Sequence, residues 1–158
     1  MNIHENSFLN THSQLLAESF RRLTGKDLAD PGPIGDELTE ALFEAPFALV
    51  SHGTEGDPIF NYGNRTALTL FEMTWEEFTR LPSRLSAEPV HRDERQRLMD
   101  EVTRKGFISN YQGIRISRNG RRFMIDQAVV WNLVDGKRVL RGQAAVISDW
   151  RYIEEPGT

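Results

Sequence analysis

The chain has 158 residues and a formal net charge of −4, a length that fits one domain able to bury its own core. It has no cysteine, which excludes disulfides, thiol nucleophiles, cysteine-ligated zinc, covalently attached c-type haem and cysteinyl-flavin photochemistry. The sequence shows neither a signal-peptide pattern nor an apolar stretch of about 18–20 residues, so we expect a cytoplasmic protein with no membrane contact.

Basic side chains are concentrated towards the C-terminus. Residues 1–103 carry 9 Lys and Arg against 18 Asp and Glu, whereas residues 104–151 carry 10 against 3. This asymmetry predicts an anionic ligand or an oppositely charged partner surface. The alternative is that long, partly exposed strands carry Lys and Arg because these residues prevent edge-to-edge aggregation.

Two helices and a linker are predicted at the N-terminus. Three apolar residues recur at helical spacing: Leu16, Phe20 and Leu23. They predict an amphipathic helix over residues 13–23, followed by a Pro- and Gly-rich linker at 30–35. A second apolar stripe predicts a short helix that ends before Pro46, because proline disfavours helical conformation in the residue preceding it.

The middle of the chain is predicted to hold two short strands and three helices. The apolar runs at 47–51 and 59–62 are separated by a segment rich in turn formers. Asn64 is placed to cap the next helix, and Thr74 with a Glu three residues later forms a capping-box pattern. A longer helix is predicted over residues 92–105.

From residue 107 the apolar pattern alternates with the period of a strand. Asn-Gly at 119–120 and Asp-Gly at 135–136 are strong hairpin signals, and they predict strands over 107–117, 121–133 and 138–150. Simple alternation along the middle strand places five apolar residues on one face: Phe123, Ile125, Val129, Trp131 and Leu133.

Several sequence blocks resemble the PAS domain. IFNYGNRTALTLFEMTWEEF is similar to its second strand and following helices, RISRNGRRFMI to its polar hairpin, and VISDW to the end of its last strand. Together with APFALVSHG, LPSRLSAEP, GFISNYQG, VWNL and GQAAVI, these blocks are similar to the MEKHLA domain over residues 36–150. The chain is identified as a MEKHLA domain protein of the stand-alone bacterial type, although the letters of the naming motif do not occur consecutively.

The resemblance and the element order together predict an α+β fold. We expect a PAS-like five-stranded antiparallel sheet with helices on one face and N-terminal flanking helices. Residues 1–35 would be the flanking helix and linker, 36–150 the PAS-like domain, and 151–158 a tail. The resemblance implies a sensory or regulatory module that binds a small organic ligand in an internal pocket and signals through protein–protein contacts.

Polar residues among apolar ones suggest which side chains line that pocket. A buried amide without a hydrogen bond costs about 1–3 kcal/mol, so it needs a partner from protein, water or ligand. The candidates for the ligand pocket are Asn61, Tyr62, Phe71, Gln127, Val129, Trp131 and Gln143. The alternative is that the amides bond to neighbouring backbone and only structure the core.

No catalytic or metal-binding constellation is evident. Adjacent Ser51 and His52 would point to opposite faces of a strand, so they are not expected to form a nucleophile–base pair. His52 fits either the mouth of a pocket or a turn. Histidine spacing does not predict a zinc site. By resemblance to haem-binding PAS domains His91 is a possible axial ligand, but no motif supports haem or flavin.

Three functions remain open from the sequence alone. The first is the sensor, and the second is a homodimeric adaptor with a filled core and no ligand. The apolar stripe of the first helix must dock against its own sheet or a second copy, and the resemblance to PAS domains, which often dimerise through flanking helices, implies a homodimer. The third is a small enzyme using the same cavity, for which no base with a positioned partner is found. Nucleic-acid binding is not expected, since the arginines near 118–122 lack interleaved aromatics.

Overall fold

The computed structural model describes residues 7–29 and 34–153. The helices of this part are α1 (Ser7–Thr24), α2 (Gly35–Phe43), α3 (Arg65–Phe71), α4 (Trp75–Phe78) and α5 (Pro89–Lys105), with a 3₁₀ turn at Ser83–Ser86. The strands are β1 (Ala48–His52), β2 (Phe60–Gly63), β3 (Phe107–Ile116), β4 (Arg122–Val134), β5 (Leu140–Ile147) and β6 (Asp149–Tyr152). Most of the predicted linker, at 30–33, and most of the predicted tail, at 154–158, lie outside the described residues.

The strands form one antiparallel sheet in the order β2-β1-β5-β4-β3. The short strand β6 also pairs with β4, on the edge that β5 occupies further along: Val129 pairs with Val146 of β5, and Asp126 pairs with Asp149 of β6. The predicted α+β fold with a five-strand order is therefore confirmed, and the predicted last strand is interrupted at Ser148 to give a sixth strand.

Asn64 fixes the junction of α2, β1 and α3. Its side-chain oxygen accepts hydrogen bonds from the backbone N–H groups of Ala67 and Leu49, and its amide nitrogen donates to the carbonyl oxygens of Leu42 and Phe47. The predicted cap is confirmed, and the fully buried amide also holds the start of the sheet. The capping box at the start of α4 is formed as predicted as well.

Helices cover both faces of the sheet. We call the face towards α3, α4 and α5 the inner face, and the face towards α1 and α2 the outer face. α1 buries its apolar stripe on the outer face, where the rings of Phe20 and Trp131 meet edge to face with centroids 4.8 Å apart. The stripe is therefore covered by the chain's own sheet and does not need a second copy; the homodimer that the resemblance implies stays a prediction.

Strand β4 changes faces midway. Phe123 and Ile125 pack in the inner core, whereas Val129, Trp131 and Leu133 lie in the outer one, so the prediction of one shared face is wrong. The cause is a β-bulge: Tyr111 and Gly113 of β3 are two residues apart, but their partners Ala128 and Ile125 are three apart. One extra residue reverses the direction of every later side chain.

The extra residue of the bulge is held by a local contact. Gln127 has a left-handed φ of 53°, and its backbone N–H donates to Oδ1 of Asp126 at 2.8 Å. Asn110, with φ 57°, marks a second irregularity on β3, between the pairs that Ile108 and Tyr111 form with β4. Neither position is a glycine, so neither carries the usual sequence signal of this conformation.

Candidate functional site

An internal cavity of about 60 Å³ lies between the inner face of the sheet and helices α3 and α5. It adjoins a cleft of about 560 Å³ that opens between α5, the segment joining β1 to β2, and the start of β5. Four residues line both spaces: His52, Arg95, Met99 and Gln143. The cleft and the cavity are therefore adjacent, and these four residues stand at their boundary.

Two arginines line the cavity although both are almost fully buried. Arg95 of α5 is 7% exposed and Arg115 of β3 is 6% exposed. Arg95 donates one hydrogen bond to Oγ of Ser83, at 2.8 Å. Burial, and then the positive charge of Arg115, lower the pKa of Arg95 to about 10, so it remains a cation at neutral pH. In the described part of the chain neither guanidinium forms an ion pair with a carboxylate.

Arg115 is oriented by Tyr111 on the same face of β3. Its guanidinium donates to the Tyr111 hydroxyl at 3.0 Å and to the backbone carbonyl of Ile114 at 2.9 Å. The Tyr111 hydroxyl in turn donates to Glu94 at 3.1 Å. Gly113 lies between them in sequence, and a Cβ there would overlap the Tyr111 hydroxyl, so only glycine leaves room for this arrangement.

His52 presents a free ring nitrogen in the same region. Its Nδ1 donates to the carbonyl oxygen of Gly53 at 3.0 Å, which leaves Nε2 unprotonated. Nε2 is buried and has no hydrogen-bond partner among the described residues. Burial lowers the pKa of His52 below its usual value, so the ring is neutral near pH 7. Of the two sequence-based alternatives for His52, the structure places it at the pocket mouth.

Gln143 joins β5 to α5 at the boundary of cavity and cleft. Its amide nitrogen lies within hydrogen-bond distance of the Met99 carbonyl, the Thr103 hydroxyl and Oδ1 of Asn132, at 3.1, 2.9 and 3.1 Å. Asn132 donates to the carbonyl of Val102 at 3.0 Å. These amides bond to protein, as in the alternative weighed from the sequence, and they hold α5 against the sheet.

Of the seven side chains proposed for the pocket, Phe71 and Gln143 line the cavity. The other five lie elsewhere: Asn61 accepts from Ser51, Tyr62 and Trp131 are buried under α1, Val129 packs in the outer core, and Gln127 is exposed at the bulge. Val129 and Trp131 do not line the cavity because the bulge turns both side chains to the outer face.

Sequence reasoning missed Arg95, Arg115 and Asn132 as residues of this region. A signal for Arg95 was present, because it shares a helical stripe with Leu98 and Val102 at i, i+3 and i+7. Arg115 follows Tyr111 on the same face by strand alternation. Arginine usually lies in solvent, so neither pattern was sufficient to predict a buried guanidinium.

Ser51 pairs with a histidine other than its neighbour. The Ser51 hydroxyl donates to Oδ1 of Asn61 at 2.5 Å, and Nε2 of His12 lies 2.8 Å from the Ser51 oxygen. Since the hydroxyl proton is used on Asn61, His12 donates to Ser51 and does not act as its base. Burial lowers the pKa of His12 to about 4. The pair is a structural contact between α1 and β1.

Other sequence-based candidates lie away from the cavity. His91 is in the first turn of α5 and does not line the cavity. Among residues 7–29 and 34–153 no cluster of histidine and acidic side chains could hold a metal ion. No helix in that same part of the chain is both long and apolar enough to cross a membrane.

Solved structures with a similar fold include PAS and light-oxygen-voltage domains. A PAS domain from Colwellia psychrerythraea superimposes with a TM-score of 0.62 at 15% identity, covering 74% of this chain and 94% of that one. A light-oxygen-voltage domain studied with a flavin analogue gives 0.59 at 17% identity, over 75% and 86% of the two chains. The light-state dimer of the fungal blue-light photoreceptor Vivid gives 0.58 at 11%, over 85% and 93%. The predicted PAS-like fold is thereby confirmed.

Sequence relatives lead to a family. The homeobox-leucine zipper proteins ATHB-9 and ATHB-14 of Arabidopsis thaliana are 26% and 24% identical over 146 and 145 residues. The match covers 87% of this chain but only 17% of each relative. The family model of the MEKHLA domain matches residues 10–152, from within α1 to the end of β6. This chain belongs to the MEKHLA domain family.

Proposed function

We propose that the chain is a sensory module that binds a small organic ligand in the cavity and its cleft and signals through protein–protein contacts. The observation that carries the proposal is that the two spaces are adjacent and share His52, Arg95, Met99 and Gln143 at their boundary. The cavity alone has room for a few atoms, whereas the cleft falls within the roughly 300–1,000 Å³ of typical ligand pockets. A ligand would occupy the cleft and extend one group inwards.

Strand β1 offers a route from the ligand to the outer surface. His52 and Val50 line the cavity, while Leu49 packs under α1 and α2. Ser51, between Val50 and His52, contacts His12 of α1. If a ligand binds more tightly when β1 has one of two placements in the sheet, it will favour that placement and so change how α1 docks on β1. The identity of ATHB-9 as a homeobox-leucine zipper protein supports a regulatory role for the module.

Native mass spectrometry of the full-length chain, purified without denaturation, tests the proposal directly. We expect a species heavier than the 18.1 kDa chain, or a ligand that perturbs amide resonances of β1 and α1 together. An absorption spectrum of the same sample tests for haem or flavin. An unliganded mass, with no resonance changes for any compound of a broad metabolite set, would reject ligand sensing and favour the adaptor with a filled core.

A further inference from the structure

The two buried arginines indicate that the ligand is negatively charged, which the fold by itself does not indicate. Arg95 and Arg115 reach the same cavity from α5 and β3, and the positive charge of Arg115 disfavours the charged form of Arg95. A buried cation without a counter-ion is costly, because the guanidinium gives up water and gains no opposite charge. Such a pair is stabilised when an anion enters between its members.

The positive charge is only partly balanced from the protein side. Glu94 contacts Arg115 only through the Tyr111 hydroxyl, and the Glu94 side chain is exposed. Asp57, at the cleft, pairs with exposed Arg84 at 3.1 Å, and its charge raises the pKa of Arg95 by less than burial and Arg115 lower it. Ser83 gives Arg95 a neutral acceptor. Several of the ten donor N–H groups on the two guanidiniums therefore have no protein acceptor that the described residues supply.

The walls around the arginines limit the size and nature of the anion. Phe71, Leu98, Ile125 and Val130 give the cavity an apolar lining. A volume of about 60 Å³ admits a planar carboxylate with little else, and the rest of the molecule must remain in the cleft. Guanidinium groups match the planar carboxylate with paired hydrogen bonds.

We propose, resting on the ligand-binding function above, that the module recognises a small organic acid whose carboxylate lies between Arg95 and Arg115. The acid's remaining atoms extend past Met99 and Gln143 into the cleft. The basic excess of the C-terminal part of the chain includes Arg115, which agrees with an anionic ligand.

Matched acid and amide pairs test the charge requirement. Butyrate, hexanoate and benzoate, each with its neutral amide, are titrated against the full-length chain while thermal unfolding and ¹H–¹⁵N spectra are recorded. We expect at least one acid to raise the melting temperature and to shift resonances of β3 and α5, and its amide to do neither. Acid and amide acting equally would overturn the carboxylate assignment while leaving ligand binding intact. No effect of any compound, with an unliganded native mass, would reject the proposed function itself.

Arginine variants test the location. Arg95→Met and Arg115→Met should weaken binding of the acid by roughly tenfold to a hundredfold, the usual range for losing charged hydrogen bonds. Arg97→Gln, which removes the same charge from the exposed side of α5, should not weaken it. Unliganded Arg95→Met should melt at or above the wild-type temperature, because an unpaired buried charge is removed; a purely structural arginine would give the opposite shift.

Two further results complete the test. Arg95→Lys keeps the charge but loses paired hydrogen bonding, so it should bind several-fold more weakly and serves if the Met variant fails to fold. Equal weakening by Arg97→Gln would mean nonspecific surface attraction and would overturn the proposal. Recovery of a phosphate-bearing compound such as flavin mononucleotide from the native protein would also overturn it.

Discussion

The imidazole Nε2 of His12 lies 2.8 Å from the Ser51 hydroxyl oxygen, which joins α1 to β1 across the outer core. The Phe8 ring stacks on the imidazole with centroids 5.1 Å apart, and the Tyr62 ring lies 5.5 Å away. Burial favours the neutral form of His12 and lowers its pKa. The stability of the fold is therefore expected to depend on pH.

The free energy of unfolding is expected to decrease as the pH is lowered from about 6.5 to about 4. His12 has a pKa of about 4 when folded and about 6.5 when unfolded, so over this range only the unfolded chain takes up the proton. The loss from His12 amounts to about 3 kcal/mol, is absent above the window and is complete below it. Urea unfolding at a series of pH values measures it.

Two variants separate the histidines that contribute. His12→Gln keeps a donor for Ser51 but cannot be protonated, so its stability should depend much less on pH. The lowered pKa of His52 acts in the same direction, and His52→Gln should remove that smaller share. An unchanged pH slope in His12→Gln would contradict the assignment.

Asn64→Ala should destabilise the fold by about 3 kcal/mol, because it removes a helix cap and leaves buried backbone groups unpaired. Thr74→Ala removes the cap of α4, which is exposed, and should cost about 1 kcal/mol. Chemical denaturation compares the two. Equal costs would mean that the contacts of Asn64 beyond the cap are unimportant.

Gly142→Ala should cost roughly 3 kcal/mol or more. Gly142 has φ 147°, and a Cβ there would overlap the carbonyl oxygen of His52 on the neighbouring strand. The matched control is Gly136→Ala in the preceding turn, where a Cβ meets nothing within 4 Å. Thermal unfolding of both variants checks the expectation, and a Gly142→Ala variant as stable as the control would refute it.

Removal of residues 1–35 should increase self-association. The deletion removes α1 and uncovers apolar side chains that it covers on β4, including Trp131 and Leu133. Sedimentation of the two chains measures the change. A dimer of the intact chain that dissociates on deletion would show instead that α1 forms an interface between copies.

Local signals in the sequence were sufficient to predict the helices and strands. They were not sufficient to predict which face of the sheet each side chain of β4 occupies. The turns at 119–120 and 135–136 and the cap at Asn64 act within a few residues, so sequence alone located them. The conformation of Gln127 depends on its pairing with β3, and His12 meets Ser51 across 39 residues. The cavity arginines were missed because burial of a charge depends on packing partners, not on local pattern.

The bulge at Gln127 constrains how this domain can change over generations. When one residue is inserted or deleted at the end of a strand, the adjoining loop usually absorbs the change. An insertion or deletion beside Gln127 would instead turn the later side chains of β4 to the opposite face of the sheet. Trp131 would turn inwards, towards the internal cavity, and its place under α1 would be lost. Descendants can therefore vary the side chain at position 127 far more readily than the number of residues around it.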